Sequence, residues 1–227
     1  MNELLFLIFL VFYFGAGVIV CRLFKAEGAV VLFIVSIIVC NIEVLKQLSL
    51  FGLAATLGNI PYGMTFWTTD FISETRGKRE SQKVVIYGFI ALLVFAVTMR
   101  YALFYKPGPE DWVQEHLSAI FSFVPRVMIA SFTAYFVAQF HDIWLFHLLR
   151  DAFKGRHLWL RNNIATTLSQ LWDTLIFCTI AFWGVFSLPV LLQIYLTTWL
   201  LKALVALLDT PFIYLALLGT REPKNKA

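Results

Sequence analysis

Apolar residues run through this chain in long blocks, separated by short polar stretches. Seven blocks stand out, at roughly 2–21, 28–45, 53–73, 83–105, 124–149, 162–186 and 190–218. Each comes close to or exceeds the ~20 residues that a helix needs to cross the hydrocarbon core of a bilayer. The pattern predicts an all-α integral membrane protein with seven transmembrane helices. The third block is the weakest, because Gly58, Asn59, Pro61 and Gly63 interrupt it. It predicts irregular backbone in its outer half, tolerated at membrane depth only under cover of protein or beside a cavity. Between the fourth and fifth blocks, 107–123 joins Pro107, Gly108, Pro109 and three acids to an apolar stretch that stops at Pro125. That predicts an interfacial or partly re-entrant loop. The first block carries Glu3 in place of a basic leader and shows no small-x-small cleavage site, so it reads as a retained helix.

Composition agrees. Of the 227 residues, 60% are hydrophobic and 14% charged, against about 25% charged in soluble domains. Mean hydropathy is +0.78 and Phe occurs 23 times. A soluble domain of this length has no interior for so much apolar surface. The chain reads as one membrane domain, 1–227, ending in a short tail at 219–227. Lys and Arg fall in alternate loops: Arg22 and Lys25; Arg76, Lys78, Arg79 and Lys83; Arg150, Lys154, Arg156 and Arg161; then Arg221, Lys224 and Lys226. The intervening loops hold Lys46 and Lys106. This asymmetry predicts an N-terminus outside and a C-terminus in the cytoplasm, in the cytoplasmic (inner) membrane. It also accounts for the net charge of +4 without a nucleic-acid partner.

The motifs of soluble enzymes are missing. Cys21, Cys40 and Cys178 are odd in number and form no C-x-x-C. The four His residues have no H-E-x-x-H spacing, and there is no Gly-rich phosphate loop and no G-x-S-x-G. Neither a cofactor nor a metal is expected. The informative residues are the ionisable ones at membrane depth: Glu43, Asp70, Asp142, Asp173 and Asp209. Each ionised Asp at mid-bilayer costs roughly 2.5–3.5 kcal/mol on insertion scales, so such groups mark functional sites by default. They are ordered along helix faces. Ser131, Tyr135, Gln139 and Asp142 follow steps of three and four, as do Thr166, Ser169 or Gln170, and Asp173. Asp70 and Glu74 are four apart, and Lys202 and Asp209 seven apart. The latter two suggest an intramembrane pair on one helix. Arg126 falls at the outer end of its helix.

Two blocks carry a resemblance. Residues 126–150, RVMIASFTAYFVAQFHDIWLFHLLR, show an R-x4-S-x3-Y-x3-Q-x2-D pattern, and 158–183, LWLRNNIATTLSQLWDTLIFCTIAFW, show S-x3-D-T and an AFW ending. A looser third match combines Asn41 with 66–77, FWTTDFISETRG. Together they resemble the vitamin uptake transporter family, in particular its queuosine precursor transporters. The resemblance implies a six-helix core over 28–218, similar to the membrane-embedded substrate-binding components of energy-coupling factor transporters, with 2–21 as an added helix. It implies a 7-deazaguanine cargo: 7-cyano-7-deazaguanine, 7-aminomethyl-7-deazaguanine or queuine. Asp70 and Glu74 are similar to the family's D-x3-E positions.

The residues suit such a base. A carboxylate accepts both the ring N–H and the exocyclic amine of a guanine-type edge. Asp142 or Asp173 is the candidate for that role, with Gln139 or Gln170 reading the carbonyl. Trp67, Tyr135 and Trp172 offer stacking walls. Asn41, Arg126, Ser131, Ser169 and Lys202 complete the candidate substrate-binding set. The expected partners are a small molecule and lipid, with a stand-alone carrier as the first reading. The alternative is a substrate-binding subunit that works with an energy-coupling module for another small cargo. An intramembrane aspartyl protease lacks its G-x-G-D context here, and a seven-helix receptor would need a larger cytoplasmic surface.

Overall fold

The computed structural model describes residues 1–50, 52–121, 125–185 and 187–218, with side chains at all of these except Gln47, 53–56 and 125–128. The predicted tail, 219–227, and the side chain of Arg126 lie outside the described residues. The described chain is helical apart from one small hairpin: α1 (Asn2–Glu43), β1 (Gln47–Leu50), β2 (Leu53–Thr56), α2 (Asn59–Thr75), α3 (Lys78–Ala102), α4 (Gln114–Phe121), α5 (Pro125–Ala152), α6 (Leu158–Phe182) and α7 (Leu188–Leu217). Four of these, α1, α3, α6 and α7, are long and apolar enough to cross a membrane.

The first helix is two limbs folded back on each other. Lys25 leaves helical geometry at φ 51° and ψ −132°. Tyr13 Oη then lies 3.0 Å from Ser36 Oγ. In a straight helix those residues would stand about 35 Å apart, so the chain reverses at the Arg22–Lys25 break between the first two blocks. Gly28 lies where the limbs meet, and a Cβ there would stand 2.8 Å from the Val20 carbonyl.

The third block differs from expectation. Its first part is not helix but the antiparallel β1–β2 hairpin, registered Leu50↔Leu53 and Gln47↔Thr56. Gly52, at φ +75°, supplies the turn that a helix could not hold. Helix α2 starts only at Asn59. Its 17 residues span about 25 Å. Nearly every residue is buried, because α1, α3, α5 and α7 pack around it. A helix enclosed by protein needs no lipid-facing apolar side, which explains a polar content that would be costly on α3. Its hydroxyls turn back on its own carbonyls: Thr68 donates to Met64 O at 2.8 Å and Thr69 to Phe66 O at 2.8 Å. Gly63 permits close approach of α7, since a Cβ there would meet Val205 Cγ1 at 2.7 Å.

The first limb of α1 belongs to the same core. Phe14 packs against Trp67 and Phe212, at 6.1 and 5.7 Å between ring centroids. Within 107–123, the helical part is the short α4 (Gln114–Phe121). The outward faces of α1, α3 and α7 carry Leu4, Val11, Ile90, Val94 and Leu207, all well exposed, as lipid contact requires.

Contacts separate the two ends of the bundle. At one end Arg22 donates to Leu215 O at 2.9 and 2.7 Å, Arg76 pairs with Glu27 at 2.9 Å, and Arg150 donates to Ser73 O at 3.1 Å. Glu27, in the bend of α1, has its carboxyl held below the ordinary range by its own backbone N–H and then by Arg76. At the other end Asn2 reaches Ser49 O at 3.2 Å, and Thr179 meets Tyr195 at 2.8 Å. The three basic loops among the described residues therefore gather at one end, called here the basic end.

Candidate functional site

Helices α2, α5, α6 and α7 turn their polar faces toward one another, and the buried groups fall into layers. The layer farther from the basic end is ion-paired. Tyr62 on α2 donates to Asp173 Oδ1 at 2.6 Å. Lys202 on α7 holds Asp173 Oδ2, and its ammonium lies 4.8 Å from the centre of the Tyr62 ring. Each charge thus has an opposite charge, a hydroxyl or a ring face around it. Cys40 and Tyr135 lie nearby.

One helical turn along, Gln139 on α5 donates to Thr65 Oγ1 at 2.8 Å. The Gln139 side-chain carbonyl is left buried without a partner. Tyr62 to Asp70 is eight residues and Lys202 to Asp209 seven, so a second layer lies about 10–12 Å deeper. There Asp70 of α2, Asp142 of α5 and Asp209 of α7 face one another. All three are buried to within 1%. Thr166 and Ser169 of α6 face Asp142, and Asn162 faces Asp209. Even so, both carboxylate oxygens of Asp70, both of Asp142 and Oδ1 of Asp209 have no hydrogen bond of good geometry. The same holds for Thr166 Oγ1, Asn162 Oδ1 and Gln170 Oε1. A buried polar group left unpaired costs about 1–3 kcal/mol, and more when charged. So many in one place make this layer the candidate binding site.

The basic end is closed by a charged network. Arg161, fully buried, gives Nη1 to Glu74 Oε1 at 2.8 Å and Nε to the Arg156 carbonyl at 3.1 Å, and stacks 5.0 Å from the Phe146 ring centre. Arg150 approaches the same Glu74 oxygen at 4.0 Å. This ties α2, α5 and α6 together beneath the carboxylate layer.

The candidate residues divide accordingly. Gln139, Asp142, Asp70, Ser169 and Gln170 reach the space between the helices, with Ser169 bonded to His141 Nδ1 at 2.8 Å. Asp173 and Lys202 form the ion-paired layer. Lys202 is thus the partner of Asp173 and not of Asp209, seven residues along its own helix. Glu74 belongs to the basic-end network. Tyr135 spends its hydroxyl on the Val85 carbonyl of α3 at 2.7 Å, and Ser131 is half-buried one turn before it. Trp67 packs between Phe14 and Phe71, stacked on the latter at 6.1 Å and 11°. Asn41 donates back to Ile37 O at 2.7 Å. Trp172 lies half-exposed against His141, because one residue from Asp173 is about 100° around the helix.

Six residues of the two polar layers and the basic-end network lie outside the candidate set: Tyr62, Thr65, Arg161, Asn162, Thr166 and Asp209. Arg161 read as a topology signal, and Tyr62 sat in an apolar run whose hydroxyl drew no attention. Asp209 was visible as an intramembrane acid but was matched to the wrong partner. Among the described residues, no group of three or more His, Cys, Asp or Glu is disposed to hold a metal ion.

Comparison with known proteins bears on this arrangement. Residues 56–216 match the family described as putative vitamin uptake transporter. The chain is 37% identical over 219 residues to a probable queuosine precursor transporter of Bacillus subtilis, covering 95% of this chain and 94% of the relative. It is 30% identical over 144 residues to a queuosine precursor transporter of Escherichia coli, covering 63% of this chain and 62% of that one. A probable queuosine precursor transporter of Haemophilus influenzae is also 30% identical, over 59% of this chain and 54% of its own. No solved structure matches the chain.

Proposed function

The chain belongs to the putative vitamin uptake transporter family, and on that footing we propose that it imports a queuosine precursor, a 7-deazaguanine base, across the cytoplasmic membrane. The observation that carries the reading is the carboxylate layer. Asp70 and Asp142 present four buried oxygens that accept no hydrogen bond of good geometry from the chain, and the guanine-type edge of such a base brings N–H donors to them. Asp142 is the edge-reading acid, because Asp173 is already held by Tyr62 and Lys202. Gln139 and Gln170 lie on the same helix faces, and their amide groups serve the base's carbonyl. Asp70 and Ser169 stand beside Asp142 in this reading.

The proposed topology has seven spans: two limbs of α1, then α2, α3, α5, α6 and α7. The N-terminus lies outside and the basic end faces the cytoplasm. The core over 28–218 corresponds to the substrate-binding components of energy-coupling factor transporters, with the first limb of α1 added. The clustering of Arg22, Arg76, Arg150 and Arg161 at one end supports this orientation.

The test uses a bacterium unable to make or import deazaguanines. The chain is expressed, each precursor is supplied at nanomolar concentration, and queuosine is measured in tRNA. Restoration by a precursor, lost in Asp142→Asn with the variant still in the membrane, is expected. Running the assay in hosts with and without an energy-coupling module separates a stand-alone carrier from a subunit. No restoration in either host, with the protein present, overturns the reading.

A further inference from the structure

Among the described residues the buried cations are held mainly by other partners, and of the three acids only Asp70 faces one, Arg161. Lys202 is taken by Asp173, and Arg161 by Glu74 and the Arg156 carbonyl. Arg150 is occupied by the Ser73 carbonyl and Glu74. Facing Asp70 are Asp142 of α5, Asp209 of α7, Glu74 one turn along α2 and Arg161 of α6. Facing Asp142 are Asp70, Thr166 and Ser169. Facing Asp209 are Asn162 and Asp142. Helices α1 and α3 add no charged group to these sets. His141 is on the same helix as Asp142, but its Nδ1 is bonded to Ser169.

Three buried carboxyl groups facing one another do not all ionise without a compensating positive charge. No metal-binding cluster is present among the described residues. With Arg161 bonded to Glu74 and the Arg156 carbonyl, a proton taken up from outside supplies the compensating charge. The buried atoms of Thr166, Asn162 and Gln170 around the acids also lack partners of good geometry, so the layer leaves polar groups that the chain itself does not satisfy.

We propose that the Asp70–Asp142–Asp209 layer carries a proton together with the cargo, with Asp209 as the coupling group, so that the proton gradient drives import. This rests on the transport reading above. The proton enters from outside water onto a carboxylate as the base occupies Asp142, and leaves to the basic end once the base has gone. Arg161, whose Nη2 has no partner, is placed to neutralise the emptied layer when the Glu74 contact opens.

The test is transport by the purified full-length chain in liposomes, with membrane potential clamped at zero. The cargo is 7-cyano-7-deazaguanine, whose neutrality keeps its own charge out of the result. With one proton per cargo, an inside-alkaline gradient of about one pH unit gives roughly tenfold accumulation, and a protonophore collapses it. Asp209→Asn keeps exchange of internal for external base but loses gradient-driven accumulation, and Asp209→Glu restores it. An accumulation ratio that stays at one in the wild type despite active exchange overturns the proposal, as does an Asp209→Asn variant that accumulates normally. Absence of exchange with any precursor sinks the cargo reading instead. The coupling group is then judged by infrared spectra of the wild type and Asp209→Asn. A protonated-carboxyl band that titrates with pH and weakens in the variant supports the proton site, and no such band at any pH overturns it.

Discussion

The two polar layers are built from the same helices and the same residue class, yet they are opposites. In one, Asp173 is met by a hydroxyl from α2 and an ammonium from α7, and the ammonium also has the Tyr62 ring beneath it. In the other, Asp70, Asp142 and Asp209 meet each other and the neutral side chains of α6, and five of their six oxygens accept no hydrogen bond of good geometry. An acid buried in a membrane protein is therefore not informative by itself. What distinguishes structure from function is whether its partners are already inside the chain. The ion-paired layer completes itself and ties α2, α6 and α7 together. In the proposed function, the carboxylate layer is completed by the cargo.

This contrast predicts that removing charge has opposite effects in the two places. The largest effect is expected from Lys202→Met. It strands Asp173 in a dry interior, and breaking a buried pair typically costs about 3–5 kcal/mol. Thermal unfolding in detergent should show a large loss of stability, largely recovered when Asp173→Asn is added. A single variant as stable as the wild type would mean that the layer is hydrated and not structural.

Asp142→Asn comes next. It removes an acceptor that serves two donors of the base, and charge-assisted bonds contribute about 1.5–3 kcal/mol each. Uptake of the precursor should fall by roughly 10–100-fold at limiting concentration. Stability should hold or rise, because a mutually repelling charge has gone. A drop in stability matching that of Lys202→Met would erase the distinction between the layers.

Much of this was readable before folding. The steps of three and four along α5 and α6 place Gln139 with Asp142, and Ser169 with Asp173, because helical geometry is local. The reversal at Lys25 was readable too, since Arg22 and Lys25 interrupt two apolar runs. What stayed hidden was cross-helix pairing. Same-helix spacing offers Lys202 only Asp209, whereas the ion pair forms across the α6–α7 contact. Tyr62 was hidden for a different reason, as its apolar ring suits a span and its hydroxyl matters only opposite Asp173. The β1–β2 hairpin was missed because four residues of alternation are too few to stand out inside an apolar block. Trp172 looked available as a wall of the site because it adjoins Asp173, but adjacency in a helix turns a side chain away.

The network at the basic end provides an intermediate case. Glu74 is 18% exposed, and Arg161 beneath it is fully buried. Glu74→Gln keeps a hydrogen-bond acceptor but removes the charge, so about 1–2 kcal/mol of stability should be lost. That is visibly less than for Lys202→Met. If the network closes the carboxylate layer from the cytoplasm, exchange in liposomes should also quicken as the closed state weakens. Unchanged exchange with reduced stability would assign Glu74 to packing alone.

The smallest effect is expected at the outer face of α6. Trp172 is 49% exposed and lies against His141, outside the space enclosed by the four helices. Trp172→Leu preserves an apolar side chain toward lipid, and changes at such positions usually stay within about 0.5 kcal/mol. Both thermal stability and uptake should be close to wild type. The near-silence is informative because Asp173 is the very next residue. One step along α6 crosses from lipid contact to a fully committed ion pair, and the helix rotation of about 100° per residue is what separates them. If uptake failed in Trp172→Leu while the protein stayed folded, the cargo would have to touch the α6 face beside His141. The carboxylate layer would then be only part of a larger site, reached from between α5 and α6.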